Sequence, residues 1–380
     1  MTIAVAAAEA LRGGMPNYYG LRHAKDSARI VAGLKRLRDQ LDGPEGIPPR
    51  SLDKTLRLAT WNLREFDSAA YGARIDDAYY FIAEIMSRFD LVALQEVRRD
   101  LGALETLMEH LGWPWRYLVT DTTEGDPGND ERLAFLYDTR KVRFTGLSGE
   151  LVLPPLKVKK GEPPVPVAQI ARTPFTAGFQ SGWVKFQLAT VHIVYGEDDA
   201  EDPARIAEIQ ALATFLAKRT KDNSASPNLV LLGDFNIFDS SDKTMGALLD
   251  AGWSIPTPIR DLPTGSNIPQ TKHYDQIAVL PIAHQFQPAG PAGIFNYYKS
   301  VFRPEDRAAY VGAMGPAYDK TAKGAVRSES SKAQYYLTYW RTFQMSDHLP
   351  MWLDLKIDFS EEYIAGLAPP PAPSNPQDFV

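Results

Sequence analysis

The chain has 380 residues, 44% of them hydrophobic and 23% charged, a globular composition with enough apolar material for one large core or two modest ones. A formal net charge of -6 and a pI near 5.6 exclude a global basic field, so any polyanion must be met by a local patch. Zero cysteines exclude disulfides, thiolate zinc sites and a cysteine nucleophile, and leave oxygen and imidazole as the only strong metal ligands.

The opening MTIAVAAAEALRGGMPNYYG lacks a basic n-region and its apolar run is broken by Glu9, which reads against a secretory leader. No stretch reaches the roughly 18 to 20 uncharged apolar residues of a spanning helix, so no membrane anchor is expected and a cytoplasmic location is. AKDSARIVAGLKRLRDQL sets Ile30, Leu34 and Leu37 at helical spacing, with Arg29, Lys35, Arg36 and Arg38 expected on a solvated face. DGPEGIPPR then supplies breaker residues, so residues 1–55 read as a separate helical extension and linker.

From residue 56 the pattern changes. LRLATWN, LVALQEV, RLAFLYD, LATVHIVYG, LVLLGDFN, QIAVLP and MWLDLKI read as strands, and YYFIAEIMSRF, LGALETLMEHL and PARIAEIQALATFLAKR as amphipathic helices between them. Such alternation predicts one large layered α/β domain over 56–358. Residues 295–341 interleave Tyr and Trp with Lys and Arg, which fits either a base-stacking surface or a packed insertion with an amphipathic rim. Residues 359–380 form a C-terminal segment whose tail, APPPAPSNPQDFV, is expected to be disordered.

The strand ends carry the chemistry. In LVLLGDFNIF, Asp234 and Asn236 follow Gly233, which is ordinary turn chemistry and is also a way to aim a carboxylate and a carboxamide to one side of an extended chain. Other strand ends decide between these readings: Asn62 ends LRLATWN, Glu96 ends LVALQE, His192 lies inside LATVHIVYG, Asp275 opens QIAVLP's strand, and Asp347 and His348 precede the last strand. Carboxylates and amides without thiolates are ligands for a hard cation, Mg2+ or Mn2+. Beside two imidazoles, such an ion is equipment for hydrolysing phosphate esters. An acid such as Asp275 would hold the tautomer of His192.

In order, WN at 61–62, QE at 95–96, VH at 191–192, GDFN at 233–236, YDQI at 274–277 and SDH at 346–348 resemble the endonuclease/exonuclease/phosphatase superfamily. The resemblance implies a four-layered α/β sandwich with two central mixed β-sheets flanked by helices. It also implies Glu96 as principal metal ligand supported by Asn62 and Asp347, and Asp234 and Asn236 orienting the attacking water and the scissile phosphate. His192 matches the imidazole paired with Asp275, and His348 the phosphate-facing one; the division of acid and base between them stays open. Within the superfamily the chain is most similar to deoxyribonuclease I-like nucleases, with Arg64, Arg98 and Arg172 in phosphate-binding places and Glu131 as the acid that orients the second histidine.

The resulting expectation is a Mg2+- or Mn2+-dependent endonuclease acting on DNA. The alternatives are a phosphatase or phosphodiesterase of the same superfamily acting on a phospholipid or small nucleotide, and a catalytically idle scaffold. A regulatory protein partner is expected at the N-terminal helix or the 295–341 insertion.

Overall fold

Period-two alternation of apolar side chains governs the strands of the computed structural model, which describes residues 15–66, 68–125, 128–156, 163–222, 228–280 and 287–367. In chain order the strands are β1 (Thr55–Phe66), β2 (Leu91–Arg98), β3 (Trp115–Val119), β4 (Glu131–Asp138), β5 (Arg143–Glu150), β6 (Phe175–Ser181), β7 (Val184–His192), β8 (Leu229–Asp234), β9 (Asp275–Val279), β10 (Pro288–Ile294) and β11 (Met351–Lys356). They form a sheet ordered β10-β11-β1-β2-β4-β3 and a second ordered β5-β6-β7-β8-β9, each with parallel and antiparallel pairs.

Alternate residues build different layers. Leu58, Leu91, Ala93 and Phe135 meet Phe175, Phe179, Leu188, Val230 and Leu232 between the sheets. Their neighbours Ala59, Trp61, Val92, Leu94 and Leu136 point the opposite way, into a core shared with helices Asp76–Met86 and Gly102–Leu111. On the far side Ala189, Val191 and Leu231 pack beneath helices Pro203–Asp222 and Lys243–Asp250. The order helix, sheet, sheet, helix is the four-layered sandwich expected.

The helix Ser27–Leu41 does not stand apart. Ile30, Leu34, Leu37 and Leu41 are buried in the same core as Phe81 and Ile82, and burial of each contributes about 1.5–3 kcal/mol. Gly33 permits the close approach: a Cβ there would lie 2.4 Å from Cζ of Phe81. Of the four basic residues expected on a solvated face, Lys35 is exposed, while the arginines are anchored, with Arg29 on Asp77 at 2.8 Å, Arg38 on Glu84 at 3.0 Å and Arg36 on Asp306 at 3.2 Å.

In the insertion, Tyr297, Tyr298, Phe302, Tyr310, Tyr336 and Trp340 are buried in that core, as a packed insertion requires. Tyr335 is half-buried, and Tyr339 lies exposed on the outer face. The insertion also props the segment before β11: the Tyr297 hydroxyl donates to the Ser346 and His348 carbonyls at 3.0 and 2.9 Å, and Tyr298 donates to Ser346 at 2.8 Å. The proline-rich tail lies outside the described residues, among which no helix is long and apolar enough to cross a membrane.

Candidate active site

Strand pairing brings the motif residues to one edge. In the parallel pair β7 and β8, His192 is opposite Asp234; in the antiparallel pair β8 and β9, Asp234 is opposite Asp275. The other sheet supplies Asn62 and Glu96 by interrupting its own register. The β1–β2 pairing shifts between Asn62 and Phe66, and the β2–β4 pairing shifts between Leu94 and Val97. Within these bulges Arg64, Glu65 and Glu96 have φ of 34°, 50° and 60°, and Asn236 has 54°. Non-glycine residues held there cost about 1–3 kcal/mol each, and bulges of this kind re-aim side chains at functional sites. Gly233, with φ of 140°, has no alternative, because a Cβ would sit 2.2 Å from the Val191 carbonyl.

One amide joins the two sheets. Asn62 Nδ2 donates to Glu96 Oε1 at 2.7 Å and to Asp234 Oδ2 at 3.0 Å, while its Oδ1 accepts from the Arg64 N–H at 2.9 Å. The backbone N–H of Glu65 holds the other Glu96 oxygen at 2.7 Å.

Two imidazoles converge on Asp234, each backed by its own acid. His192 Nδ1 donates to Glu131 Oε2 at 2.7 Å and His348 Nδ1 donates to Asp275 Oδ2 at 2.8 Å. Their Nε2 atoms lie 3.6 and 3.5 Å from the same Asp234 Oδ2. The expected pairing of His192 with Asp275 is therefore corrected: Asp275 serves His348 and Glu131 serves His192. The reason is sheet order, since β9 begins beside the segment before β11, with Asn267 bridging to His348, whereas β4 of the facing sheet presents Glu131 to β7.

Burial by itself would discharge these rings, but the carboxylates prevail. His192 is raised above its ordinary 6.5 chiefly by Glu131, and His348 well above it by Asp234 and Asp275. Burial opposes ionisation of Glu131 too, yet His192 and Arg172, with an Asn129 hydrogen bond at 2.7 Å, hold it at about 2. Burial raises Glu96, and the neighbouring Glu131 and Asp347 carboxylates raise it further.

These carboxylates are oxygen donors, the ligand type that Mg2+ prefers. Among the described residues no three His, Asp or Glu side chains gather closely enough to hold a metal ion unaided. A hard cation there would have Glu96 as its carboxylate ligand, with waters completing its coordination. The expected supporting ligands have other engagements: Asn62 turns its oxygen to Arg64 N–H, and Asp347 pairs with Arg64 Nε at 3.3 Å.

Asn236 also departs from the extended geometry expected of it. The chain turns after Asp234, whose Oδ1 accepts the Asn236 N–H at 2.9 Å, and the Asn236 amide donates to the Ile193 carbonyl at 2.8 Å. Asp234 thus closes the turn with Oδ1 and faces the imidazoles with Oδ2.

The three arginines border the site against acids: Arg64 against Asp347, Arg98 against Glu65 at 3.3 Å, and Arg172 against Glu131 at 3.4 Å. Arg98 Nη1 and Arg172 Nε are buried in these ion pairs without hydrogen-bond geometry, and Asp275 Oδ1 is buried without a hydrogen-bond partner. Residues not expected from the sequence complete the site. Ser346 accepts from His348 N–H at 3.0 Å and donates to the Asn62 carbonyl at 2.6 Å; Asn129 and Glu65 steady the acids. Ser346 was signalled by its place in SDH, whereas nothing in the chain around Asn129 marked it.

The model of the Endonuclease/Exonuclease/phosphatase family matches residues 59–354. A relative from Thioalkalivibrio sp. named deoxyribonuclease is 32% identical over 190 residues, which are 48% of this chain and 46% of that protein, so the match spans under half of the relative's length. The crystal structure of an endonuclease/exonuclease/phosphatase family protein from Bacteroides thetaiotaomicron superposes with a TM-score of 0.50 at 18% identity, covering 80% of this chain and 99% of that one. A mannosyl-6-phosphatase from the same organism gives 0.49 at 18%, covering 79% and 99%.

Proposed function

The chain belongs to the endonuclease/exonuclease/phosphatase family, and on that premise we propose that it is a metal-assisted phosphodiesterase whose substrate is DNA. The observation that carries the reading is the convergence of two acid-backed imidazoles on Asp234 Oδ2, at 3.6 and 3.5 Å. Enzymes of this family commonly use divalent metals. A Mg2+ ion at Glu96 would supply charge compensation for a phosphoryl oxygen.

The chain's own groups do the rest. Asp234 is an acceptor placed to orient a water and take its proton. The two Nε2–H groups, shifted toward the cationic form by Glu131 and by Asp234 and Asp275, donate to the phosphoryl and leaving oxygens, and each imidazole is fixed in tautomer and direction by its acid. Arg98 and Arg172, which border the site in ion pairs with Glu65 and Glu131, would exchange part of that pairing for phosphate oxygens. The name of the Thioalkalivibrio relative and the arginine border support DNA as the diester.

The test is cleavage of supercoiled plasmid with Mg2+, with EDTA, and with His192→Ala and His348→Ala. Nicking that needs Mg2+ and falls about 100-fold or more in either variant is expected. Plasmid left intact while a small phosphomonoester is hydrolysed, at a rate lost in the same variants, would overturn DNA as substrate.

A further inference from the structure

The insertion presents an aromatic row that the proposed mechanism does not use. Tyr335, Tyr339 and Phe343 recur every four residues, and the π-helical turn Tyr335–Trp340 widens the helix there, a local distortion frequent at functional sites. The rings of Tyr335 and Tyr339 stack with centroids 5.5 Å apart, Tyr339 meets Phe343 at 4.8 Å, and Phe343 stacks on Tyr71 at 4.0 Å and 9°. The Arg64 guanidinium lies 4.0 Å over Phe343 and reaches Asp347 of the active site, so the row begins at the site's edge. At its other end Arg327 lies 4.6 Å over Tyr335.

The cleft along this row encloses about 720 Å³ and is lined by Tyr71, Lys320, Arg327, Tyr335 and Tyr339 with small and polar residues, and by no acid among the described residues. In a chain of net charge -6 such a lining favours an anionic occupant. Tyr71 and Tyr339 are 38% and 40% exposed, whereas Tyr335 is half-buried and Tyr297, Tyr298, Phe302, Tyr310, Tyr336 and Trp340 are buried. Exposed ring faces flanked by cations suit bases whose own faces are free. In a duplex those faces are occupied by neighbouring pairs, whereas in a single strand they are not.

We propose that this row binds the unpaired nucleotides that flank the scissile phosphate, with bases stacking on Tyr71 and Tyr339 and backbone phosphates met by Arg327 and Lys320. The proposal rests on the nuclease reading above and adds single-stranded nucleic acid as its substrate class. It is tested by fluorescence anisotropy of a labelled oligothymidylate in EDTA, where binding is read without cleavage, against Tyr71→Ala, Tyr339→Ala, their combination and Tyr339→Phe. Each alanine variant is expected to weaken binding about tenfold, Tyr339→Phe to stay within about twofold, and hydrolysis of bis(p-nitrophenyl) phosphate with Mn2+ to stay within about twofold throughout. Binding by the double variant as tight as wild type, or tighter binding of a duplex of equal length that the variants lose equally, would overturn the proposal. Failure of the nuclease reading shows separately, as absence of DNA cleavage by the wild type with Mg2+.

Discussion

Glu131→Gln tests the electrostatic core of the site. The substitution keeps the shape of the side chain and an oxygen for His192 Nδ1–H at the 2.7 Å contact, but removes the charge. A charge-assisted hydrogen bond contributes about 1.5–3 kcal/mol and a neutral one about 0.5–1.5, so the loss is about 1–2 kcal/mol, or roughly 5- to 30-fold in a rate that depends on it. The sign follows from both partners. Glu131 is depressed to about 2 from 4.5, so its contribution is present above 4.5 and lost as pH falls toward 2; His192 is raised above 6.5, so its contribution is complete below 6.5 and lost as pH rises through the raised value. Both conditions hold together only between pH 4.5 and 6.5. Urea unfolding in EDTA should show the variant's deficit largest in that window and shrinking as pH rises through the raised His192 value. In the variant, burial and Arg172 act on an imidazole without its counter-charge, so the alkaline limb of kcat/KM should move to lower pH. A deficit of equal size at every pH would assign the effect to packing and refute the charge argument; no deficit in stability or rate would refute the pairing itself.

Two further outcomes are expected. Glu96→Gln should raise the Mg2+ concentration for half-maximal activity about tenfold or more and reduce the thermal stabilisation by Mg2+ in the same degree, and an unchanged metal requirement would remove Glu96 as the ligand. Leu37→Ala, which empties a fully buried position in the core that the N-terminal helix shares with the helix Asp76–Met86, should lower stability by about 2–5 kcal/mol in urea unfolding, whereas a change below about 0.5 kcal/mol would show that the helix is not part of the folded core.

The sandwich, and the polar residues that gather at the candidate site, could be read from the chain because alternation is a local pattern and the ordered motifs resemble those of a family. Alternation in LRLATWN, LVALQEV and LVLLGD assigns side chains to layers, and the ordered motifs from Asn62 to His348 place polar residues at the strand ends. The absence of cysteine settled by itself that a metal must meet oxygen or nitrogen. Which acid serves which imidazole was not legible, because the partners are 61 and 73 residues apart and meet only through strand order. Equally hidden were the bulges that turn Glu96 and Arg64 inward at positive φ, since a register shift belongs to a pair of strands and leaves no mark in either one. The arginines of the N-terminal helix looked like a solvated face because their carboxylate partners, Asp77, Glu84 and Asp306, lie on elements far along the chain. Composition and periodicity determine which residues face a core or a strand end, as these follow from backbone geometry; which side chains then touch is decided by long-range register and packing, which tertiary structure alone supplies.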